Sequence, residues 1–242
     1  MTERKWTTIQ DLRIYHDPSF ELELKKKSTP FQKDFSRAGG IVSQRYARKL
    51  EELGLQTPVY HHLYAYFSTD LQPGSFGKAF SSEHWNKRME IGVSPEQLFS
   101  LPQPERDLMI GEIINLFLLE LAARDELCRK KILNADEYLR RLGGDAEFEL
   151  KTHSTKNVKV RTYYTIDDRV EIFLDWEANG KKKKGIKVAS VSHSYFPKHL
   201  VSRISVKNSA IMIFPRTSEN SKFYLDKELP GRTFPLRIEM QD

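Results

Sequence analysis

Clustered lysines are the most conspicuous chemical feature of the sequence. Four of them, Lys181–Lys184, follow directly on a turn sequence. Clustered cations bind nucleic acid by releasing counterions from its phosphates. At the tip of a β-hairpin they instead neutralise acids across the strand pair and block pairing with other chains. The spacing favours the second role, because Asp175 and Glu177 lie just before the turn.

The tripeptide Glu-x-Lys occurs twice on predicted strands, at 149–151 and at 23–25. PD-(D/E)xK nucleases use this tripeptide with an upstream aspartate to hold Mg²⁺ and activate water. The Pro-Asp turn that precedes it in those enzymes is missing, because Asp17-Pro18 has the reverse order. The pattern therefore does not favour a metal-dependent nuclease.

The histidines show no metal-ligand spacing. His61 and His62 are neighbours on a predicted strand and so point to opposite faces. His193 and His199 have no cysteine or carboxylate at ligand spacing. The sequence also lacks a G-x-S-x-G elbow, a Walker loop and a G-x-G-x-x-G fingerprint. We therefore expect no catalytic residue, no cofactor and no metal ion.

Charge is distributed unevenly along the 242 residues. Residues 151–242 hold 18 Lys and Arg against 10 Asp and Glu, a net charge of +8. Residues 1–150 hold 21 against 23, a net charge of −2. The pattern of elements changes near residue 145 as well. We predict a mixed α/β region over 1–145 and an antiparallel β region over 146–242, which could also form one continuous domain.

Composition suits a soluble globular protein, with 39% hydrophobic and 30% charged residues. The N-terminus does not have the pattern of a secretory signal. The most apolar run, Ile113–Ala123, falls short of the roughly 20 residues that span a bilayer. The single cysteine, Cys128, lies in a predicted helix as a buried, inert thiol. We expect a cytoplasmic protein without membrane contact.

Hydrophobic periodicity predicts the elements of the first region. Ser94 has the spacing of a helix N-cap, with Pro95 next and Gln97 third. The predicted elements are a strand at 20–24, a helix at 36–53, a strand at 59–67, a loop at 70–83, a strand at 88–93, a central apolar helix from Pro104, and a helix from Asn134 to Gly144.

Strict alternation of apolar and polar residues predicts an antiparallel meander with strands at 158–166, 170–177 and 181–190. A three-residue loop at 167–169 pairs Ile166 with Val170 and sets Arg161 opposite Asp175. A three-residue loop ending at Gly180 starts the next hairpin. The predicted buried face consists of Val160, Tyr164, Ile172, Trp176 and Ile186.

Two further strands follow the meander. Ile204 and Val206 face Ile211 and Ile213 if a two-residue turn lies at 207–208. The segment 234–240 could close the sheet.

The outer face of the meander is the predicted contact surface. Tyr163 and Phe173 point outward and opposite each other in this register, as a stacking platform for bases or as an ordinary cross-strand aromatic pair. The predicted partner-binding residues are Arg161, Tyr163, Phe173, Lys181, Lys182, Lys183 and Lys184.

Three segments carry a family resemblance: PERDLMIGEIINLFLLELAA, NADEYLRRLGG and EFELKTHSTKNVKVRTYYTIDDRVEIFLDW. Their layout, a helical middle followed by an antiparallel meander, is similar to that of bacterial polymorphic-toxin immunity proteins. Those proteins are small cytoplasmic inhibitors paired with secreted toxins. Many of them are acidic because their toxins are basic nucleases. The basic charge of this chain counts against a nuclease partner and leaves an acidic toxin open.

These observations predict an α+β protein with a central apolar helix packed on a mostly antiparallel sheet. The leading function is non-catalytic binding of an acidic protein partner, as an immunity-type inhibitor of a cognate toxin. The alternative is a nucleic-acid-binding protein or metal-dependent nuclease that uses the basic C-terminal half.

Overall fold

The chain forms two compact units. The computed structural model describes residues 6–153, 157–165, 169–178, 181–192, 196–207 and 209–240. One unit spans Met1–Gly143 and the other spans Gly144–Asp242. Helices and mostly antiparallel sheets confirm the predicted α+β class.

The first unit is built around a four-stranded mixed sheet in the order β2-β4-β6-β5. The first three of these strands are parallel, and β5 runs antiparallel to β6. A short antiparallel pair joins β1 and β3. The elements are β1 (Trp6–Thr8), β2 (Asp11–His16), α1 (Pro18–Lys25), α2 (Thr29–Glu52), β3 (Gln56–Pro58), β4 (His62–Ser68), β5 (Phe76–Phe80), β6 (Asn86–Gly92), α3 (Pro95–Ser100), α4 (Gln103–Asp125) and α5 (Arg129–Leu142).

Helix α1 replaces the strand predicted at 20–24, so that prediction is wrong. The Asp17 side chain caps the helix by accepting a hydrogen bond from the Phe20 N–H at 2.9 Å. Phe20 and Leu24 are buried while Leu22 is exposed. The burial therefore follows the four-residue step of a helix, and the local cap outweighs the two-residue alternation of the sequence.

Other predictions for this unit are confirmed in part. The helix predicted at 36–53 lies within α2, and Ser94 caps α3 by accepting from Gln97 N–H at 3.3 Å. The loop predicted at 70–83 contains β5.

Asn134 does not begin α5, which starts five residues earlier. Cys128 is exposed at the N-cap of α5 rather than buried, because the preceding helix has already ended.

The two faces of the mixed sheet differ sharply. Helices α1, α2 and α4 contact its strands. The face they cover is apolar and fully buried, with Leu12, Leu63, Phe67, Met89 and Ile91. Helix α4 also packs on α2 and α5, and it buries Ile110, Ile114, Phe117 and Leu121 as its periodicity predicts. The opposite face carries polar and aromatic side chains.

The second unit is all antiparallel in its sheets. One sheet, the meander, has the order β10-β9-β8-β7, and a second has the order β11-β12-β13. The elements are β7 (Glu147–His153), β8 (Val158–Tyr164), β9 (Val170–Ala178), β10 (Lys181–Val191), α6 (Phe196–Leu200), β11 (Arg203–Lys207), β12 (Ala210–Phe214), α7 (Glu219–Glu228) and β13 (Leu236–Glu239).

The prediction of which side chains of β8 and β9 share a face is confirmed. The predicted register between the two strands is wrong by two residues. Tyr164 pairs with Val170, and Val160 pairs with Leu174 rather than Trp176. Alternation decides which side chains share a face, whereas the length of the loop decides which pairs meet. Ile166 and residues 167–168 of that loop lie outside the described residues. As predicted, Val160, Tyr164, Ile172 and Trp176 are buried.

Strand β10 departs further from the prediction. Lys182 pairs with Glu177, and the register then shifts between Lys183 and Ile186. Because of this irregularity, Ile186 is 38% exposed, so its predicted burial is wrong. Ala178 ends β9 and pairs with Lys181, so the three-residue loop predicted at 178–180 is wrong. Asn179 and Gly180 lie outside the described residues.

The second sheet agrees with its predicted facing. Ile204 pairs with Ile213 and Val206 pairs with Ile211. Strand β13 pairs with β12, which confirms that the C-terminal segment completes a sheet. Lys207 pairs with Ala210, so the turn falls one residue later than predicted. Asn208 lies outside the described residues.

Candidate functional site

The outer face of the meander contains a shallow groove with a volume of about 490 Å³. It gathers four of the predicted partner-binding residues, Arg161 and Lys182–Lys184. Strands β7, β8, β9 and β10 supply its charged side chains. We call it the meander groove; its cations are Lys159, Arg161, Lys182, Lys183 and Lys184, and its carboxylates are Glu147, Asp175 and Glu177.

Arg161 is the centre of the ion-pair network in the groove. Its Nε donates to Asp175 Oδ2 at 2.6 Å and its Nη2 donates to Oδ1 at 3.0 Å. Its Nη1 also pairs with Glu147. Partial burial favours the neutral carboxyl of Asp175, but hydrogen bonds from Arg161 and from Gly185 N–H outweigh it and lower the pKa of Asp175. Arg161 is therefore held rigidly, with its charge compensated.

The lysines of the groove are compensated less completely. Lys159 Nζ lies 2.5 Å from Glu149, and Lys182 Nζ lies 3.8 Å from Glu177. Within the described part of the chain, Lys183 and Lys184 form no ion pair with an acid. The side chain of Lys181 lies outside the described part. These two adjacent cations are thus free of direct ion pairs among the described residues, although the charge of Lys184 also helps to lower the pKa of Asp175.

The basic character of the second unit is weaker than the sequence suggested. Residues 144–242 hold 18 Lys and Arg against 13 Asp and Glu, a net charge of +5. Asp145 and two acids of strand β7 make the difference, and β7 brings Glu147 and Glu149 next to Arg161 and Lys159.

The two predicted aromatic contacts lie on the same outer face but not directly opposite each other. Arg161 is the partner of Phe173, and Tyr163 is the partner of Glu171. Tyr163 and Phe173 are therefore diagonal neighbours, as the two-residue register difference requires. Both are half-buried.

The two Glu-x-Lys tripeptides have separate structural roles. Glu149 is engaged by Lys159 and by Thr152 Oγ1 at 2.7 Å, and the hydrogen bond from Lys159 lowers the pKa of its carboxyl. The other tripeptide lies on α1, where Glu23 pairs with Lys26 at 2.6 Å. Across the described residues, no group of three His, Cys, Asp or Glu side chains could hold a metal ion.

A serine and a histidine meet in the second unit without forming a reactive pair. His199 Nδ1 lies 2.7 Å from Ser221 Oγ. Burial and nearby Arg216 lower the pKa of His199, as a general base would require. However, Ser221 is 0% exposed in the first turn of α7, where its own N–H bonds the cap residue Ser218 at 3.3 Å. A substrate cannot reach this hydroxyl, so the pair is structural. His193 lies outside the described residues.

Sequence reasoning missed a second surface, on the face of the mixed sheet that α1, α2 and α4 leave uncovered. We call it the open face and define it by Tyr15, Tyr64, Tyr66, Phe80 and Arg88. The register places these side chains on one side of β2, β4, β6 and β5. Alternation in 62–67 was the available signal, because His62, Tyr64 and Tyr66 alternate with apolar residues. The sequence predicts only a strand at 59–67 and does not single out this polar side of it.

No protein-family model, curated protein or solved structure matches this chain. No helix in the described ranges is long and apolar enough to cross a membrane.

Proposed function

We propose that the protein is a non-catalytic, cytoplasmic inhibitor of the immunity type, which neutralises an acidic partner protein such as a cognate toxin. The observation that carries the proposal is the meander groove, where five cations meet three carboxylates. Lys183 and Lys184 supply the excess charge. Electrostatic complementarity of this kind raises association rates and selects partners by the sign of their charge.

A protein partner suits the groove better than a nucleic acid. Glu147, Asp175 and Glu177 alternate with the cations across the groove. A phosphate backbone, which is uniformly negative, is repelled by these carboxylates. A protein surface can present bases to the carboxylates and acids to the lysines. Nuclease chemistry has little support, because the carboxylate of Glu149 is occupied by Lys159 and Thr152.

The groove is tested with a poly-L-glutamate peptide as an acidic polypeptide and with random duplex DNA and RNA. We would replace Lys182, Lys183 and Lys184 together by Ser. The matched control replaces Lys25, Lys26 and Lys27, three consecutive exposed lysines of the first unit. The groove variant should associate more slowly with poly-L-glutamate and lose salt dependence, while the control keeps both.

A titration of binding against salt concentration separates binding of an acidic protein from binding of nucleic acid. Binding to duplex nucleic acid that survives physiological salt and is lost only in the groove variant would replace the proposal with nucleic-acid binding. The immunity-type assignment has its own test. The product of the gene immediately upstream, mixed with this protein, should form a stoichiometric complex. A mixture that elutes as two free proteins would reject that assignment and leave acidic-partner binding to the peptide titration.

A further inference from the structure

We infer that Arg88, at the centre of the open face, anchors a carboxylate of the acidic protein partner. The inference rests on the proposed function and adds a second contact surface, in the first unit. It concerns the strands β2, β4, β6 and β5, which contribute no residue to the meander groove.

Arg88 is a cation without an acid. It lies on the interior strand β6, paired with Tyr64 of β4 on one side and Phe80 of β5 on the other. Among the described residues no carboxylate pairs with it. Its Nη1 reaches only the Tyr66 hydroxyl, at 3.5 Å, and its buried Nε has no hydrogen-bond acceptor. A carboxylate can accept two parallel bonds from such a guanidinium.

Aromatic rings hold the guanidinium in place. Its Cζ lies 5.6 Å from the centroid of the Tyr64 ring. Tyr15 stacks on Tyr66 with centroids 5.3 Å apart and ring planes 20° apart, and it meets Tyr64 edge-on, also at 5.3 Å. These side chains are already packed before any partner arrives, so little conformational entropy remains to be lost on binding.

The open face has the exposure and composition of a protein contact. Tyr15 is 36% exposed and Phe80 is 43% exposed. Parallel strands normally have both of their faces covered, whereas here the helices of the unit cover one. Tyrosine and arginine are also the residues that carry most binding energy at protein interfaces.

The ring orientation favours a protein over a single-stranded nucleic acid. Tyr15 and Tyr66 stack on each other across neighbouring strands. Each ring therefore offers at most one flat side to a base, which limits the stacking that single-stranded nucleic acid needs. Glu90 lies on the same side of β6 as Arg88 and repels phosphate. An acidic protein segment can place one carboxylate on Arg88 and avoid Glu90.

The test uses a random copolymer of glutamate and tyrosine as the acidic polypeptide, with oligouridylate as the nucleic-acid probe. Arg88→Ala should weaken copolymer binding at least about tenfold, as expected for an interface anchor. Arg88→Lys should recover only part of the affinity, because lysine keeps the charge but not the planar fork. Arg37→Ala, which removes a half-buried α2 arginine paired with Asp34, should bind like the parent protein.

A direct readout is the Nε–Hε resonance of Arg88 in labelled protein, which should shift when the copolymer is added. If Arg88→Ala fails to fold, copolymer binding by Arg88→Lys and by Tyr15→Ala is compared with that of the parent protein instead. Copolymer binding that depends on the meander groove, with no effect of the Arg88 variants, would overturn this inference and leave the proposed function intact. A parent protein that binds no acidic polypeptide would overturn both. Oligouridylate binding abolished by Arg88→Ala would assign the face to nucleic acid instead.

Discussion

Replacing Arg161 with Met removes the guanidinium that joins two carboxylates of the meander while keeping an unbranched apolar stem. The side chains of Arg161 and Asp175 are 16% and 18% exposed, so solvent screens their interaction only in part. Hydrogen bonds to charged groups contribute about 1.5–3 kcal/mol. Breaking a fully buried ion pair costs about 3–5 kcal/mol. Asp175 keeps the hydrogen bond from Gly185 N–H at 2.8 Å, which limits the loss. We therefore expect Arg161→Met to lower the free energy of unfolding by about 2–3 kcal/mol at neutral pH.

The pH dependence identifies the cause of that loss. The folded state lowers the pKa of Asp175 below its ordinary value. Its contribution to stability is therefore complete above about pH 5 and disappears as the pH falls through the lowered folded pKa. The difference between Arg161→Met and the parent protein should therefore become smaller as the pH is lowered from neutral to about pH 2.

Urea denaturation at both pH values, followed by far-UV circular dichroism, measures this difference. Asp175→Asn completes a double-mutant cycle, whose coupling energy should be about 1–2 kcal/mol at neutral pH. An equal penalty at both pH values would show that Arg161 acts through the packing of its stem. A coupling energy of zero would show that the ion pair between Arg161 and Asp175 does not stabilise the meander.

Four further predictions concern a core tryptophan, the nuclease alternative and two glycines of the first unit. Trp176→Ala should cost about 3–5 kcal/mol in urea denaturation, because it truncates a buried side chain, and a cost below about 1 kcal/mol would contradict its place in the core. Purified protein should not cleave DNA or RNA in the presence of Mg²⁺; cleavage that Glu149→Gln abolishes would restore the nuclease alternative. Gly92→Ala should destabilise the first unit strongly, because the new Cβ would lie 2.0 Å from Gln72 O. Gly40→Ala, on α2 with open space around it, should instead raise the melting temperature, since Ala is favoured in a helix by about 1 kcal/mol.

Sequence reasoning was most reliable where burial alternates along one strand. The inner face of β8 and β9 follows from parity, whereas the pairing of Tyr164 with Val170 depends on a loop whose length parity does not specify. The exposure of Ile186 depends on a local irregularity in β10. Nothing in the alternation of that strand encodes it.

The candidate sites were predicted unequally, for a related reason. Arg161 and Lys182–Lys184 could be grouped because consecutive strands bring them together through short connections. Arg88 and Tyr15 both contact Tyr64 across parallel strands, and the chain between those strands does not reveal their order. The charge count that divides the sequence at residue 150 places the acids of β7 in the first half. It therefore overstates the net positive charge of the second unit. The antiparallel pairing of β7 with β8 shows where that strand belongs.

The contrast between parallel and antiparallel pairing has a consequence for the order of folding. Strands β8 and β9 are neighbours in the chain, whereas β2 reaches β4 only after the whole of α2 has been traversed. Segments that are distant in the chain lose loop-closure entropy before their stabilising contacts form, and this loss slows folding. The meander should therefore protect its amide hydrogens earlier than the mixed sheet during refolding. Pulsed hydrogen exchange would resolve the two phases. The tyrosine side chains of the open face would come together in the slower one.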